Sequence, residues 1–221
     1  MPLLRARLSQ LRRQGPRRLA QTAASIVEDA WFDWRHGTET RAKVAIPDLG
    51  PVRGDSAAHG EAYHPTRARH FRKLMAALDL PDGLGFADIG AGKGLVLMLA
   101  TEQRFARVVG VEYADAMVSA ARDNLDRYRR VTGRGGQVAL HHDDAARFPI
   151  DDDLNVFYLF NPFGEAVWAA VVDNIRASLA RSPRPCWIIA NKAQPDALAA
   201  GGFQVALDMA YGNAEFRVYA R

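Results

Sequence analysis

Residues 86–94 read Phe-Ala-Asp-Ile-Gly-Ala-Gly-Lys-Gly, and the apolar run Leu95-Val-Leu-Met-Leu-Ala100 follows directly. Glycines at alternate positions permit positive φ angles and let a ligand approach the backbone closely. The pattern predicts a buried strand that ends near Ile89, a glycine-rich turn, and a buried helix over 93–103 in which Lys93 is solvated. A turn of this kind before a helix is typical of a nucleotide-binding site.

The spacing of the glycines excludes the two common nucleotide motifs. A dinucleotide-binding turn needs a small third residue where this chain has Leu95 or Leu97, and no Lys-Ser/Thr pair of a P-loop is present. The stretch instead resembles motif I of the class I, seven-stranded, S-adenosylmethionine-dependent methyltransferases. In that family an acid stands two residues before the first glycine, as Asp88 does here.

Three further stretches resemble the same family and occur in the same order. Arg107–Glu112 is a second apolar strand that ends in an acid, and an acid in that place can accept hydrogen bonds from both ribose hydroxyls. Val138–Phe148 is a strand followed by an Asp-Ala pair, similar to the adenine-contacting motif. Leu154–Phe160 leads into Asn161-Pro-Phe-Gly164, which resembles the (Asn/Asp)-Pro-Pro-aromatic motif of amino-directed methyltransferases but lacks the second proline.

The resemblance spans residues 63–221 and implies S-adenosylmethionine as the cofactor. It also implies where that cofactor binds and which residues handle the methyl acceptor. The cofactor-binding residues that it implies are Asp88, Gly90, Ala91, Gly92, Gly94, Glu112, Asp143 or Asp144, and Tyr63. The catalytic residues that it implies are Asn161, which would orient an amino group, and Phe163, which would stack on the acceptor or face a cation.

Three functions remain open at this point. A nitrogen acceptor, in a small molecule or a protein, is favoured because Asn161 and Phe163 match the amino-directed motif, and the glycine turn also resembles that of seven-strand protein-lysine methyltransferases. One alternative is a small-molecule O-methyltransferase with His64 or another histidine as the base and with Asn161 as a turn residue only. The other is a protein that binds the cofactor without turnover and serves as a regulator or scaffold.

Strands and helices alternate from residue 84 onward. This pattern predicts an α/β, doubly wound, Rossmann-like sheet of seven strands, mostly parallel, with helices on both faces. Residues 203–210 and 215–220 alternate around the turn 211–214, which predicts an antiparallel C-terminal hairpin.

Residues 1–62 are predicted to form a basic helical arm and a connecting loop, a possible lid or substrate wall, ahead of the methyltransferase domain at 63–221. Helices are expected over 3–14 and 17–34. The apolar residues of the second helix are expected to pack on the domain, and a lid or a membrane or partner contact is the alternative; these residues are Leu19, Ile26, Val27, Trp31 and Trp34. A helix after Tyr63-His-Pro-Thr66 is expected to have Thr66 as its N-cap.

Composition limits the compartment and the partners. The single cysteine, Cys186, excludes a disulfide framework, and the absence of a membrane span or a secretory leader favours the cytoplasm. Nothing in the sequence has the spacing of a metal site. The net charge of +4 comes from six arginines that precede the first acid, Glu28. Without these six, the 29 basic residues fall to 23, against 25 acidic residues. The rest of the chain is therefore slightly acidic, and nucleic acid is not favoured as a partner. The oligomeric state is left open.

Overall fold

The computed structural model describes residues 15–42, 44, 49–54, 65–160, 164–191, 198 and 201–221. In this part of the chain, the helices are α1 (Pro16–His36), α2 (Ala68–Ala77), α3 (Leu95–Ala100), α4 (Asp115–Thr132) and α5 (Glu165–Arg181). The strands are β1 (Gly85–Ile89), β2 (Arg107–Glu112), β3 (Val138–His142), β4 (Leu154–Phe160), β5 (Trp187–Asn191), β6 (Gln204–Tyr211) and β7 (Ala214–Ala220).

The seven strands form one sheet in the order β3-β2-β1-β4-β5-β7-β6. The first five strands pair in parallel, while β7 is antiparallel to both β5 and β6. The predicted fold class, with its C-terminal hairpin, is confirmed. Strand order reverses between β1 and β4, and in open α/β sheets ligands bind at the carboxyl ends of the strands beside such a switch point.

An apolar layer covers each face of the sheet. On one face, Phe71 of α2, Leu97 of α3 and Tyr128 of α4 pack against the sheet, and all three are buried. On the other face, Trp168 and Ile175 of α5 do the same. β1 is buried along its whole length, as expected for a central parallel strand that is covered on both sides.

Helix α1 lies on the domain, but the prediction of which side it buries was wrong. The five apolar residues expected to pack are all exposed, from 37% for Leu19 to 79% for Trp34. The buried residues of α1 are instead Ser25, Asp29, Phe32 and Asp33. Phe32 joins the core, while the two aspartates are buried because each carries hydrogen bonds and an ion pair that offset its desolvation.

The predicted N-cap of α2 was also wrong. The N-cap is Arg67, whose side chain makes no capping bond, and the Thr66 hydroxyl lies 3.0 Å from that of Tyr158. Asp29 of α1 caps the helix from outside, since its Oδ1 accepts the Ala68 backbone N–H at 2.9 Å. Its Oδ2 accepts a hydrogen bond from Arg67 Nη1 at 2.8 Å. Helix α1 therefore fixes the start of α2.

Several sequence predictions lie outside the described residues. They are the helix over 3–14 and the side chains of Tyr63, His64, Asn161 and Phe163. In the part of the chain that is described, none of the helices has the length and apolar character needed to cross a bilayer.

Candidate functional site

The glycine turn connects β1 to α3, with Gly90, Gly92 and Gly94 at φ angles of 90°, 52° and 81°. The N–H groups of Gly90 and Ala91 both donate to the carbonyl oxygen of Val111, which ties the turn to β2. These positive φ angles explain the alternate glycines, because a side chain at such angles is strained. A Cβ on Gly94 would also lie 3.3 Å from that of Ala121 in α4.

Glu112 ends β2 with its carboxylate turned toward this turn. Its Oε2 accepts the Gly92 N–H at 2.8 Å, and its Oε1 accepts the N–H groups of Tyr113 and Ala114 at 3.0 Å. Burial raises the pKa of Glu112, and the three backbone hydrogen bonds act in the opposite direction. The result is a rigidly held acid beside the glycines, with further lone pairs for a ligand.

Asp88 lies on β1 just before the turn and is 3% exposed. Burial raises its pKa well above the usual range, and the neighbouring charge of Glu112 adds to the effect. Among the described residues, no donor forms a hydrogen bond with its carboxylate. A buried carboxyl group without a partner is costly, so this side chain is suited to a cationic or hydrogen-bond-donating ligand group.

Asp143 and Asp144 follow β3 at the same edge of the sheet. Asp143 Oδ1 accepts the backbone N–H of Asp144 at 2.8 Å. Asp144 is buried and its Oδ1 accepts the N–H of Ala146, so its carboxylate shapes the loop. Of the two acids, Asp143 is the more exposed.

The segment 49–54 lies over this part of the site. Arg53 N–H donates to the carbonyl of Tyr113, and Asp115 N–H donates to that of Pro51. Gly54, at φ 78°, passes so close to Asp144 that a Cβ there would lie 2.0 Å from the carboxylate oxygen. This segment therefore forms a wall beside Glu112 and Asp144.

A second wall comes from the residues that follow α1. Lys93 is 5% exposed, so its predicted solvation was wrong, and its ammonium group pairs with Glu39. The amide of Asn124 in α4 accepts the Glu39 N–H at 2.9 Å and donates to the carbonyls of Glu39 and Lys93, at 3.2 and 3.0 Å. Asn124 thus fastens the segment after α1 to the glycine turn.

A pocket of about 370 Å³ opens next to the turn, at the carboxyl ends of β4 and β5. It is enclosed by α1, the start of α2, the first residue of α3 and the β6–β7 turn. Its lining residues are Ile26, Asp29, Thr40, Arg41, Pro65, Thr66, Arg67, His70, Leu95, Phe160, Asn191, Asn213 and Ala214. Phe160 immediately precedes Asn161, so the pocket adjoins the predicted acceptor motif.

The pocket holds charged groups in pairs together with one neutral histidine. Arg67 pairs with Asp29, and Arg41 pairs with Asp33 at 3.2 Å. Burial lowers the pKa of His70 to about 4, and the positive charge of Arg67 adds to this effect. His70 is therefore an uncharged and weak base at neutral pH, and its buried Nε2 has no hydrogen-bond partner among the described residues.

The predicted cofactor residues that the structure describes meet at one edge of the sheet. Asp88 and the glycines follow β1, Glu112 ends β2, and Asp143 with Asp144 follows β3. His142 lies beside them with its Nε2 3.1 Å from the Tyr113 carbonyl, whereas His141 packs against Phe148. Within the described ranges, no three histidine, cysteine or acidic side chains form a group that could hold a metal ion.

The residues that line the pocket were not predicted as site residues from the sequence. Asp29 and His70 lie in amphipathic helices, where a polar residue carries no mark of a site. Asn191 gave the clearest available signal, because it is a polar residue at the end of an apolar strand.

This part of the chain is similar to known methyltransferases. A family profile described as a methyltransferase domain matches residues 86–182. The H3 lysine-79-specific histone-lysine N-methyltransferase of Dictyostelium discoideum is 30% identical over 142 residues, which are 63% of this chain and 7% of that protein. The chain thus spans a small fraction of that relative's length.

Solved structures share the fold. A precorrin-6y C5,15-methyltransferase from Geobacter metallireducens superposes with a TM-score of 0.55 at 18% identity, over 71% of this chain and 88% of the other. An S-adenosylmethionine-dependent methyltransferase from Aquifex aeolicus superposes with a TM-score of 0.53 at 15% identity, over 68% of this chain and 88% of the other.

Proposed function

We propose that this protein is a class I S-adenosylmethionine-dependent methyltransferase that methylates an amino nitrogen of an acceptor held in the pocket. The methyltransferase-domain profile over residues 86–182 and the shared fold support the reaction class. One observation carries the proposal. The glycine turn, which Glu112 holds in place, and the pocket lie side by side at the carboxyl ends of neighbouring strands. A methyl donor bound at the turn would therefore face an acceptor in the pocket.

The residues at the turn fit S-adenosylmethionine. Glu112 offers a fixed carboxylate to the two ribose hydroxyls, and the three glycines of the turn allow the methionine portion to come close to the backbone. Asp88 offers a buried carboxylate, without a described partner, to the methionine ammonium group. Asp143 and Asp144 follow β3 at the same edge of the sheet, where they would contact the adenine.

S-adenosylmethionine supplies a methyl group bound to a positively charged sulfur. The protein's main task is to align the acceptor with that methyl and to exclude water. The segments 49–54 and 37–42 are placed to exclude water, because they cover the turn and Glu112 from two sides. The acceptor nitrogen forms its bond to the methyl carbon as the carbon–sulfur bond breaks, and an N–H proton then leaves to solvent.

A nitrogen acceptor is supported over an oxygen acceptor by the chemistry of the pocket. A hydroxyl group must lose a proton as it reacts, and His70, the histidine among the described lining residues, has a pKa of about 4 and removes protons poorly near neutral pH. His64 lies outside the described residues. A neutral amine already carries the reacting lone pair and needs only orientation, which Asn161 would provide next to Phe160. The relative named as a histone-lysine methyltransferase is consistent with this acceptor class.

The test is methyl transfer from S-adenosylmethionine with a tritiated methyl group to fractions of a host-cell lysate. We expect label in a protein or small-molecule fraction and, after acid hydrolysis, in N-methyl products. The Glu112→Ala protein should give no label, while Asp126→Ala, which changes an exposed acid on α4 that pairs with Arg129 of the same helix, should match the unsubstituted chain. Label only in methyl ethers or esters would overturn the nitrogen assignment, and no label in any fraction would favour a non-catalytic role.

A further inference from the structure

The outward side of α1 is apolar, the reverse of what a surface helix normally shows. Between residues 19 and 34, every exposed position carries an apolar side chain. We call this surface the α1 apolar face; its residues are Leu19, Ala20, Ala23, Ile26, Val27, Trp31 and Trp34. Among the described residues, α1 carries five of the seven exposed large hydrophobic side chains, so the apolar surface is concentrated there.

The acids of α1 all turn away from this face. Glu28 pairs with Arg69 and Arg72 of α2, at 3.2 and 2.7 Å. Asp29 pairs with Arg67, and Asp33 is held by Arg41 and by the hydroxyl and N–H groups of the threonines after the helix. Every carboxylate of the helix is thereby used to attach α1 to the protein.

The exposed charged residues of α1 itself are positive. Arg17 and Arg35 are exposed at the two ends of the α1 apolar face. Arg18, the residue after Arg17, pairs with the exposed Glu215 of β7. Four more arginines, at positions 5, 7, 12 and 13, precede the helix in the sequence, and no acid occurs among residues 1–15. The surface therefore combines an apolar strip, two exposed tryptophans and a basic margin.

We propose that the α1 apolar face docks on a lipid bilayer that contains anionic lipids, with α1 lying along the membrane surface. Aliphatic and tryptophan side chains on one helix face, bordered by arginine, are the features with which a helix binds in the interfacial region of an anionic membrane. At 21 residues, α1 is about 30 Å long and offers this surface over most of its length.

Two other occupants fit the surface less well. A second copy docked face to face would bring the arginine margins together with no exposed acid on either helix to compensate. A protein partner is normally oriented by polar contacts, and the α1 apolar face has no polar side chain among its exposed positions from 19 to 34. A lipid bilayer can bind this surface without polar contacts at fixed positions and without an acidic residue opposite the arginines.

Docking would bring the methyltransferase site close to the lipid. Ile26 belongs to the α1 apolar face and also lines the pocket, so the pocket opens beside the docking surface. Membrane docking does not depend on the methyl acceptor or on catalytic turnover, and vesicle binding alone tests it.

The experiment is flotation of the full chain with phosphatidylcholine vesicles that contain or lack phosphatidylglycerol. We expect binding to the anionic vesicles, a blue shift of tryptophan fluorescence, weaker binding at high salt, and little binding to neutral vesicles. Joint Trp31→Ser and Trp34→Ser substitution should weaken binding by at least about tenfold. Arg17→Glu with Arg35→Glu should weaken it by at least about fivefold per residue.

A matched control uses exposed apolar residues elsewhere, Val131→Ser and Val205→Ser, which should leave vesicle binding unchanged. All of these positions are exposed, so circular dichroism and thermal midpoints should stay close to those of the unsubstituted chain. Absence of binding to anionic vesicles at low salt, or full binding by the double tryptophan variant, would overturn the proposal. A concentration-dependent dimer that this variant abolishes, without vesicle binding, would also overturn it in favour of self-association.

Discussion

The side-chain oxygen Oε2 of Glu112 lies 2.8 Å from the backbone nitrogen of Gly92, so the acid at the end of β2 holds the glycine turn at the end of β1. The same carboxylate accepts the N–H groups of the next two residues. Glu112 is therefore already fixed in position before a ligand arrives. A preorganised carboxylate loses little freedom when it binds ribose hydroxyls, which favours tight cofactor binding.

Asn124→Ala is expected to loosen the wall formed by the segment after α1. The substitution removes three hydrogen bonds that join Glu39 to the glycine turn, and the free energy of unfolding should fall by about 2–3 kcal/mol. Cofactor should also dissociate faster. Urea unfolding and stopped-flow release of S-adenosylhomocysteine measure the two effects.

Asn155→Ala is the matched control, because its amide also bonds backbone groups, the Gly85 N–H and the Pro185 carbonyl, but lies at the amino ends of the strands, away from the turn. It should lower stability without changing cofactor release. Equal release rates for Asn124→Ala and the unsubstituted chain would show that the segment does not cover the cofactor.

Comparison of Gly94→Ala with Gly133→Ala distinguishes the stability cost of backbone strain from a loss of cofactor binding. Both glycines have positive φ, so each alanine should cost about 1–2 kcal/mol of stability. Only at Gly94 would the new Cβ meet a neighbour, Ala121, and shift the turn; at Gly133 nothing lies within 4 Å. Calorimetry should therefore show weaker S-adenosylhomocysteine binding for Gly94→Ala alone. Equal binding by the two variants would contradict the assigned role of the turn.

The buried His70 predicts a loss of stability in mild acid. A histidine in the unfolded chain titrates near 6.5, whereas burial holds the pKa of His70 at about 4. Between these values the unfolded state binds more protons, so the free energy of unfolding decreases as the pH falls through this window. The contribution of His70 at about pH 5 is about 2 kcal/mol.

Urea unfolding at several pH values measures this loss in the unsubstituted chain and in His70→Gln. The variant should lose about 2 kcal/mol less stability between neutral pH and about pH 5. The raised pKa values of Asp29 and Asp88 act in the opposite direction in both proteins and cancel in the comparison. Parallel curves for the two proteins would show that His70 is not buried in its neutral form.

The sequence predicted the sheet and the residues that meet at the carboxyl edge of its central strands, because local pattern decides both. An apolar run that ends in an acid and alternate glycines leaves few conformations other than a strand, a turn and a helix, and the parallel strands bring Asp88 and Glu112 to one edge. The predicted strand over 154–160 matches β4 at both ends.

The sequence did not predict which side of α1 is buried, because hydrophobicity alone gave the opposite orientation. The helix is oriented by ion pairs of Glu28 and Asp29 with arginines in and just before α2, which lie far away in the chain, and such pairs leave no periodic signal. Lys93 was misplaced for the same reason, since its partner Glu39 lies 54 residues away in the chain. The pocket was missed because it forms only when α1, α2 and the β6–β7 turn come together.

Asn161→Ala tests the acceptor assignment, which rests on the sequence because residue 161 lies outside the described part of the structure. If the side-chain carbonyl orients an amino acceptor, turnover should fall about 10²–10³-fold while cofactor affinity changes little. Asn161→Asp should retain activity, since a carboxylate accepts the same hydrogen bonds. Near-normal turnover in a stable Asn161→Ala protein would leave the assignment without support.

The most direct test of the central claim is calorimetric titration of the protein with S-adenosylmethionine and S-adenosylhomocysteine, for the unsubstituted chain and for Glu112→Ala. We predict that both ligands bind without added metal, that NAD and ATP bind poorly, and that Glu112→Ala loses about 3 kcal/mol of binding free energy with its two ribose hydrogen bonds. Unchanged affinity in Glu112→Ala, or no binding of either ligand by the unsubstituted chain, would contradict the account.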